Sequence, residues 1–94
     1  MVIDVRSLPF PINVVSVLPL EGHRLKLEFE VGRERKRTRG VFDMSACLDW
    51  PAFRSLADES TFRKVFSDGY TACWPGEIDI APERLYTDMV PLEE

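Results

Sequence analysis

Polar and apolar positions alternate most strictly over Arg24-Leu25-Lys26-Leu27-Glu28-Phe29-Glu30. Leu25, Leu27 and Phe29 fall on one side and the charged residues on the other, the period-two pattern of a strand with one buried face and one wet face. Upstream, Val14-Val15-Ser16-Val17-Leu18 is a β-branched run that predicts a strand stopped by Pro19. Glu21-Gly22-His23 supplies the turn between them, and Val31-Gly32-Arg33 supplies the next one. A third strand is expected over 34–42, polar at first and apolar at Val41 and Phe42. Short connections between successive strands imply an antiparallel meander.

Near residue 50 the period lengthens. Pro51 suits a first helical position, and Phe53, Leu56 and Ala57 follow at helical spacing. Asp58 or Ser60 is placed to cap a further short turn that presents Phe62 and Val65. Two β-prone runs then flank Asp68-Gly69, a dipeptide that tolerates positive φ and so marks a hairpin. Trp74-Pro75-Gly76 ends that hairpin, and the segment from Asp79 to Tyr86 opens a last helix with Pro82 in its first turn. Asp79 stands three residues before Pro82, where its carboxylate is expected to accept N–H bonds as a cap.

The order predicts an α+β fold in two layers: a three-stranded antiparallel meander, a helix, a β-hairpin and a C-terminal helix (βββαββα). The expected core is Leu25, Leu27, Phe29, Val41, Phe53, Leu56, Phe62, Val65, Ile80 and Leu85. At 94 residues the chain holds one domain, expected over 13–90. Residues 1–12 read as an extended lead-in, with Pro9 and Pro11 bracketing Phe10, and 91–94 as a frayed acidic tail.

Charge adds an asymmetry. Residues 24–39 carry seven bases against three acids, whereas 40–94 carry four bases against eleven acids. Five of the bases crowd a short stretch: Arg33, Arg35, Lys36, Arg37 and Arg39. On a regular strand Arg35, Arg37 and Arg39 share a face, and a core cannot hold three arginines, so that face is expected in solvent. Two readings follow. In one, the strip is a solvated face paired across the meander with Glu28 and Glu30. In the other, it binds an anionic partner. Nucleic acid is the weaker choice of partner, because no aromatic is interleaved for base stacking and the chain as a whole is acidic, at net −4.

Catalytic chemistry is poorly supplied. His23 is the one imidazole and Cys47 and Cys73 the two thiols, set far apart along the chain. No zinc-ligand spacing, glycine-rich phosphate loop or disulfide framework is present. No enzyme activity, metal or cofactor is therefore expected. Among the acids Asp43, Asp49, Asp68 and Asp79, Asp68 is accounted for by its turn. No apolar run approaches a membrane span and the first residues do not form a secretory leader, which leads to the expectation of a cytoplasmic protein.

From Val14 to Tyr86 the chain resembles the mostly bacterial family called domain of unknown function 2442. The resemblance rests on Val14-Val15-Ser16-Val17, the Leu25/Leu27/Phe29 strand, Gly32, Phe42-Asp43-Met44-Ser45, Phe53 with Leu56, and Phe62-Arg63-Lys64-Val65. Its most specific part is Trp-Pro-x-x-x-Asp-Ile-x-Pro-Glu-x-Leu-Tyr, here Trp74, Pro75, Asp79, Pro82, Leu85 and Tyr86 with the residues between. The third strand is longer and more basic than is usual there, and Gly76-Glu77 replaces the Asn-Gly or Asp-Gly that often follows Trp-Pro. The resemblance implies the same small α+β domain and little about activity. Some relatives look like the antitoxin half of a toxin–antitoxin pair, and others are fused to a helix-turn-helix domain that has no room in this chain.

The motif residues are expected to be structural, with Trp74 and Tyr86 as core or rim side chains; an exposed aromatic pair would instead mark a partner site. The expected function is that of a non-enzymatic protein-interaction module, antitoxin-like or regulatory. It would bind a small toxin-like or other protein, or a second copy as a homodimer, through a sheet edge or the basic strand Arg33, Arg35, Lys36, Arg37 and Arg39. The alternative is a nucleic-acid-binding accessory domain that uses 33–39.

Overall fold

A computed structural model describes residues 11–92. Three long strands form the predicted meander: β1 (Ile12–Leu20), β2 (Arg24–Val31) and β3 (Lys36–Asp43). In register, Leu25 lies opposite Phe42, Leu27 opposite Gly40 and Phe29 opposite Thr38. The inward row of β3 is therefore 38, 40 and 42. Val41, expected in the core, lies on the outward row between Lys26 and Val90 and is half-buried.

Pro19 does not stop β1. The strand runs through it to Leu20, with Pro19 paired to Leu25. β1 is the border strand of its sheet, and there a missing N–H can face away from the ladder. A bulge between Val14 and Ser16 bends the same strand.

Beyond β3 come two 3-10 turns, Ser45–Cys47 and Pro51–Ala57, then α1 (Glu59–Phe62). The segment after Pro51 is thus a 3-10 turn where the spacing predicts a helix. Phe53 and Leu56 are three residues apart, which puts both on one side at three residues per turn, and both are buried. Asp58 caps α1 as expected: its Oδ2 accepts from Thr61 N at 3.1 Å, Ser60 Oγ at 2.7 Å and Thr61 Oγ1 at 2.8 Å.

The hairpin follows as β4 (Phe66–Ser67) and β5 (Ala72–Trp74). Asp68 Oδ1 accepts from Tyr70 N at 2.8 Å and Thr71 N at 2.9 Å, and Gly69 takes φ +92°. A further strand, β6 (Ile78–Ile80), completes a small antiparallel sheet where the sequence predicts the approach to a helix. α2 (Pro82–Asp88) then begins on Pro82. The last strand, β7 (Val90–Pro91), is absent from the sequence reading. It pairs with β3 through Gly40 and Val41, giving the sheet order β1-β2-β3-β7. Leu92 N also donates to Arg39 O at 3.0 Å, so Pro91 and Leu92 are held in place rather than frayed. The remainder of the expected tail and residues 1–10 of the expected lead-in lie outside the described residues.

The core sits between the inward face of the large sheet and everything that follows it. Leu25, Leu27, Phe29, Phe53, Leu56, Phe62, Ile80 and Leu85 are buried as predicted, joined by Val14, Phe42, Met44 and Trp74. Val65 is only half-buried at its margin. Trp74 is 1% exposed, and its Nε1 donates to Phe62 O at 2.9 Å. Tyr86 from α2 meets Phe29 of β2 edge-on at 5.5 Å. The small sheet is fastened to the border of the large one. Val14 N donates to Tyr70 O at 3.0 Å, and Ser67 Oγ donates to Val14 O at 2.6 Å, both beside the bulge.

Candidate interaction groove

The basic stretch divides into two parts. In the register of β2 and β3, Glu28 lies opposite Arg39 and Glu30 opposite Arg37. Arg37 pairs with Glu28 and, at 3.3 Å, with Glu30 Oε1, while Arg39 Nε lies 3.2 Å from Glu28 Oε2. Such exposed pairs contribute roughly 0–1 kcal/mol each. They do tie up the two guanidinium groups that face solvent on the strand.

Arg35 is not on that face. It lies in the turn 32–35, its N donating to Gly32 O at 3.1 Å, with φ +53°. The turn takes four residues because both Gly32 and Arg35 adopt left-handed backbone, so β3 starts only at Lys36. A side chain in that conformation costs on the order of 1–2 kcal/mol relative to glycine. Arg33, Arg35 and Lys36 are exposed and have no acidic partner among the described residues.

The thiols and the imidazole are not brought together. Cys47 is buried at the floor of a cavity of about 540 Å³ whose wall includes Phe42, Arg84 and Val90. Burial pushes its thiol up from its ordinary value. His23 does not line that cavity. Its Nε2 is 3.1 Å from Ala57 O, a bond that needs the proton on Nε2, and its ring lies 5.0 Å from that of Phe62. Cys73 on β5 is pushed up to about 11, first by burial and then by the nearby Asp68 carboxylate. Both thiols are therefore held toward the protonated form. Among the described residues no three of His, Cys, Asp and Glu stand close enough to hold a metal ion. No described helix is long and apolar enough to cross a membrane.

The Trp-Pro motif is mostly scaffold, with one exception. Trp74 and Leu85 fill the core, Pro82 starts α2, and Pro75 leads into a turn closed by Gly76 at φ +95° and Glu77 at φ +64°. Asp79 departs from its expected role. The residue capping α2 is Ala81, with no side-chain hydrogen bond, because the chain is still extended at β6 when it passes Asp79. The Asp79 carboxylate is exposed and has no hydrogen-bond or ion-pair partner among the described residues.

Asp79 instead lines a groove of about 570 Å³ running between the 3-10 turn, the hairpin loop and the start of α2. Phe53, Thr71, Ile80 and Pro82 supply buried side chains along it. Trp50 and Tyr70 stand at its margin, 40% and 54% exposed. The Asp68 bonds to Tyr70 N and Thr71 N fix the loop that holds Tyr70 out. Glu83 adds a second carboxylate without a partner among the described residues. Arg84 lays its guanidinium carbon 4.4 Å above the Trp50 ring. Its Nε is buried without a hydrogen bond and lies 3.8 Å from Asp88 Oδ2.

The exposed aromatics among the described residues are thus Trp50, Phe66 and Tyr70, of which Trp50 and Tyr70 margin the groove, and not the motif's Trp74 and Tyr86. The signals for that pair were the Trp50-Pro51 step, which holds Trp50 extended, and the place of Tyr70 just after Asp68-Gly69.

A family model matches residues 14–90, a span that runs from β1 to β7. The chain belongs to the family Protein of unknown function (DUF2442). No curated protein and no solved structure matches it. Within this DUF2442 chain the matched span takes in the whole groove and also the paired basic strand.

Proposed function

We propose that this DUF2442 chain is a non-enzymatic protein-interaction module, antitoxin-like or regulatory, that holds a small partner protein in the groove margined by Trp50 and Tyr70. The observation that carries this reading is the pair of large aromatic side chains at the groove margin beside two carboxylates that have no hydrogen-bond or ion-pair partner among the described residues. Tyrosine and tryptophan bring a large contact area at small entropic cost and dominate hot spots of binding.

Strand addition at a sheet edge has less support. β1 carries a bulge and Pro19 and is fastened at Val14 to the hairpin, and β7 is two residues long and ends on Pro91. Those are the features by which natural edges resist pairing. The basic strand has less support too, because Arg37 and Arg39 are engaged with Glu28 and Glu30. The same pairing counts against the nucleic-acid reading, since phosphate contacts there would compete with carboxylates already in place.

The test is co-expression with the product of the adjacent gene, followed by titration of the purified proteins. Trp50→Ala combined with Tyr70→Ala is expected to weaken the complex at least about ten-fold in a protein that stays folded, with some loss of thermal midpoint because the Trp50 ring packs on Phe53 and under Arg84. Unchanged affinity in the folded double variant overturns the reading.

A further inference from the structure

The groove and the basic turn are complementary, and each copy of the chain carries both. We infer that the groove also takes the β2–β3 turn of a second copy, with Arg33, Arg35 and Lys36 entering beside Asp79 and Glu83. This rests on the groove being a protein-docking site and adds its regulation: self-association and partner binding exclude one another.

Three observations lead here. First, the charges that matter are segregated. Arg37 and Arg39 are matched within the sheet, while the turn presents three unmatched cations against the single acid Glu34. The groove presents two unmatched carboxylates, and the positive charge of Arg84 beside them is partly offset by Asp88 at 3.8 Å.

Second, Arg35 holds φ +53°, a conformation that glycine or asparagine adopts with less strain. No contact within the described chain uses its guanidinium, so strain is retained at a position whose side chain does nothing for the fold. Glu77 holds the same conformation in its own turn, so the strain assigns no role alone; what it adds is that the Arg35 guanidinium is held out on the turn, clear of the sheet's own carboxylates.

Third, the groove already accommodates this chemistry. Arg84 stacks its guanidinium on Trp50, and the Tyr70 ring, 54% exposed, offers a second aromatic surface beside carboxylates. A planar guanidinium that stacks on an aromatic and pairs with a carboxylate is well matched to such a wall. Because the two patches differ, reciprocal exchange closes a two-fold dimer and one-way exchange builds a longer chain.

Sedimentation of the full chain over a range of concentrations tests this. The wild type is expected to associate at low salt, and at least about ten-fold more weakly when salt is raised from about 0.05 to about 0.5 M. A turn variant (Arg33→Glu, Arg35→Glu, Lys36→Glu) and a groove variant (Asp79→Lys, Glu83→Lys) are each expected to stay monomeric alone and to associate when mixed. Mixing restores opposite charge at both turn-to-groove contacts. Arg35→Gly, which relieves the left-handed strain, is expected to raise the thermal midpoint and weaken association. That combination separates a binding role from a structural one.

A wild type that stays monomeric throughout, or association indifferent to both charge reversals, overturns the inference. A monomeric wild type that still loses its partner protein on Trp50→Ala/Tyr70→Ala leaves the groove reading standing alone. Self-association of the wild type with partner binding unaltered in that variant overturns the groove reading, and with it the claim that self-association and partner binding exclude one another.

Discussion

Leu27 and Val41 lie on neighbouring strands of one sheet, and their fates differ because of register. Leu27 points inward opposite Gly40 and is fully buried, whereas Val41 points outward opposite Lys26. Leu27→Ala is expected to cost about 2–5 kcal/mol by chemical denaturation. Val41→Ala, at a half-buried outward site, is expected to cost less than about 1 kcal/mol. Equal losses would mean that the two rows are not segregated as described. The Leu25/Leu27/Phe29 face was legible because alternation there is unbroken. Val41 was misplaced because Val41 and Phe42 are adjacent apolar residues, and only pairing with β2 decides which of them turns inward. Asp79 was misread for a related reason. Its spacing from Pro82 suits a cap, but the chain is still a strand at that point, so its carboxylate faces the groove.

At the level of elements, turns and caps set where strands and helices begin. Asp58, Asp68 and Asp43 all have carboxyls held below the ordinary value of 3.8. For Asp58 the first cause is the Ser60 hydroxyl, for Asp68 the Thr71 backbone N–H, and for Asp43 the Ser45 side chain. A carboxyl lowered in the folded state stabilises it above the unfolded pKa, and that contribution disappears as pH falls through the folded pKa. The thermal midpoint is therefore expected to fall as pH drops from about 5 toward about 2, with a shallower decline for Asp58→Asn combined with Asp68→Asn. An identical slope in that variant would show that these caps do not sense the acid.

Gly40 is the corresponding control point for β7. A Cβ there would overlap the Met89 side chain and lie 3.1 Å from Val90 O. Gly40→Ala is expected to destabilise by about 1–3 kcal/mol and to raise amide exchange at Leu92, whose N–H bonds Arg39 O. Protection at Leu92 equal to wild type would refute that view of the β3–β7 contact. β7 escaped the sequence reading because two residues ending on Pro91 carry no periodic signal. β6 escaped it because three residues between a turn and Pro82 look like a helix approach. The meander, the hairpin and the start of α2 at Pro82 were legible from patterns five or more residues long or from turn chemistry with a fixed offset, whereas Pro51 opens a 3-10 turn and not the expected helix.

For the whole molecule, the segregation of charge along the chain was visible in the sequence, but its use was not. Which arginines are matched depends on strand pairing, and which aromatics stay exposed depends on how the hairpin loop and the Pro51 turn meet. The pairing leaves Arg37 and Arg39 as part of the sheet surface, and leaves the groove between Trp50, Tyr70, Asp79 and Glu83 with aromatic rings and carboxylates open to a partner. The decisive comparison is calorimetric titration of the same partner protein into two folded variants, Trp50→Ala/Tyr70→Ala and Arg37→Ala/Arg39→Ala. The groove variant should lose at least about ten-fold in affinity and the strand variant less than about two-fold, in keeping with the small worth of exposed ion pairs. The reverse ranking would contradict the groove and return the binding role to the basic strand.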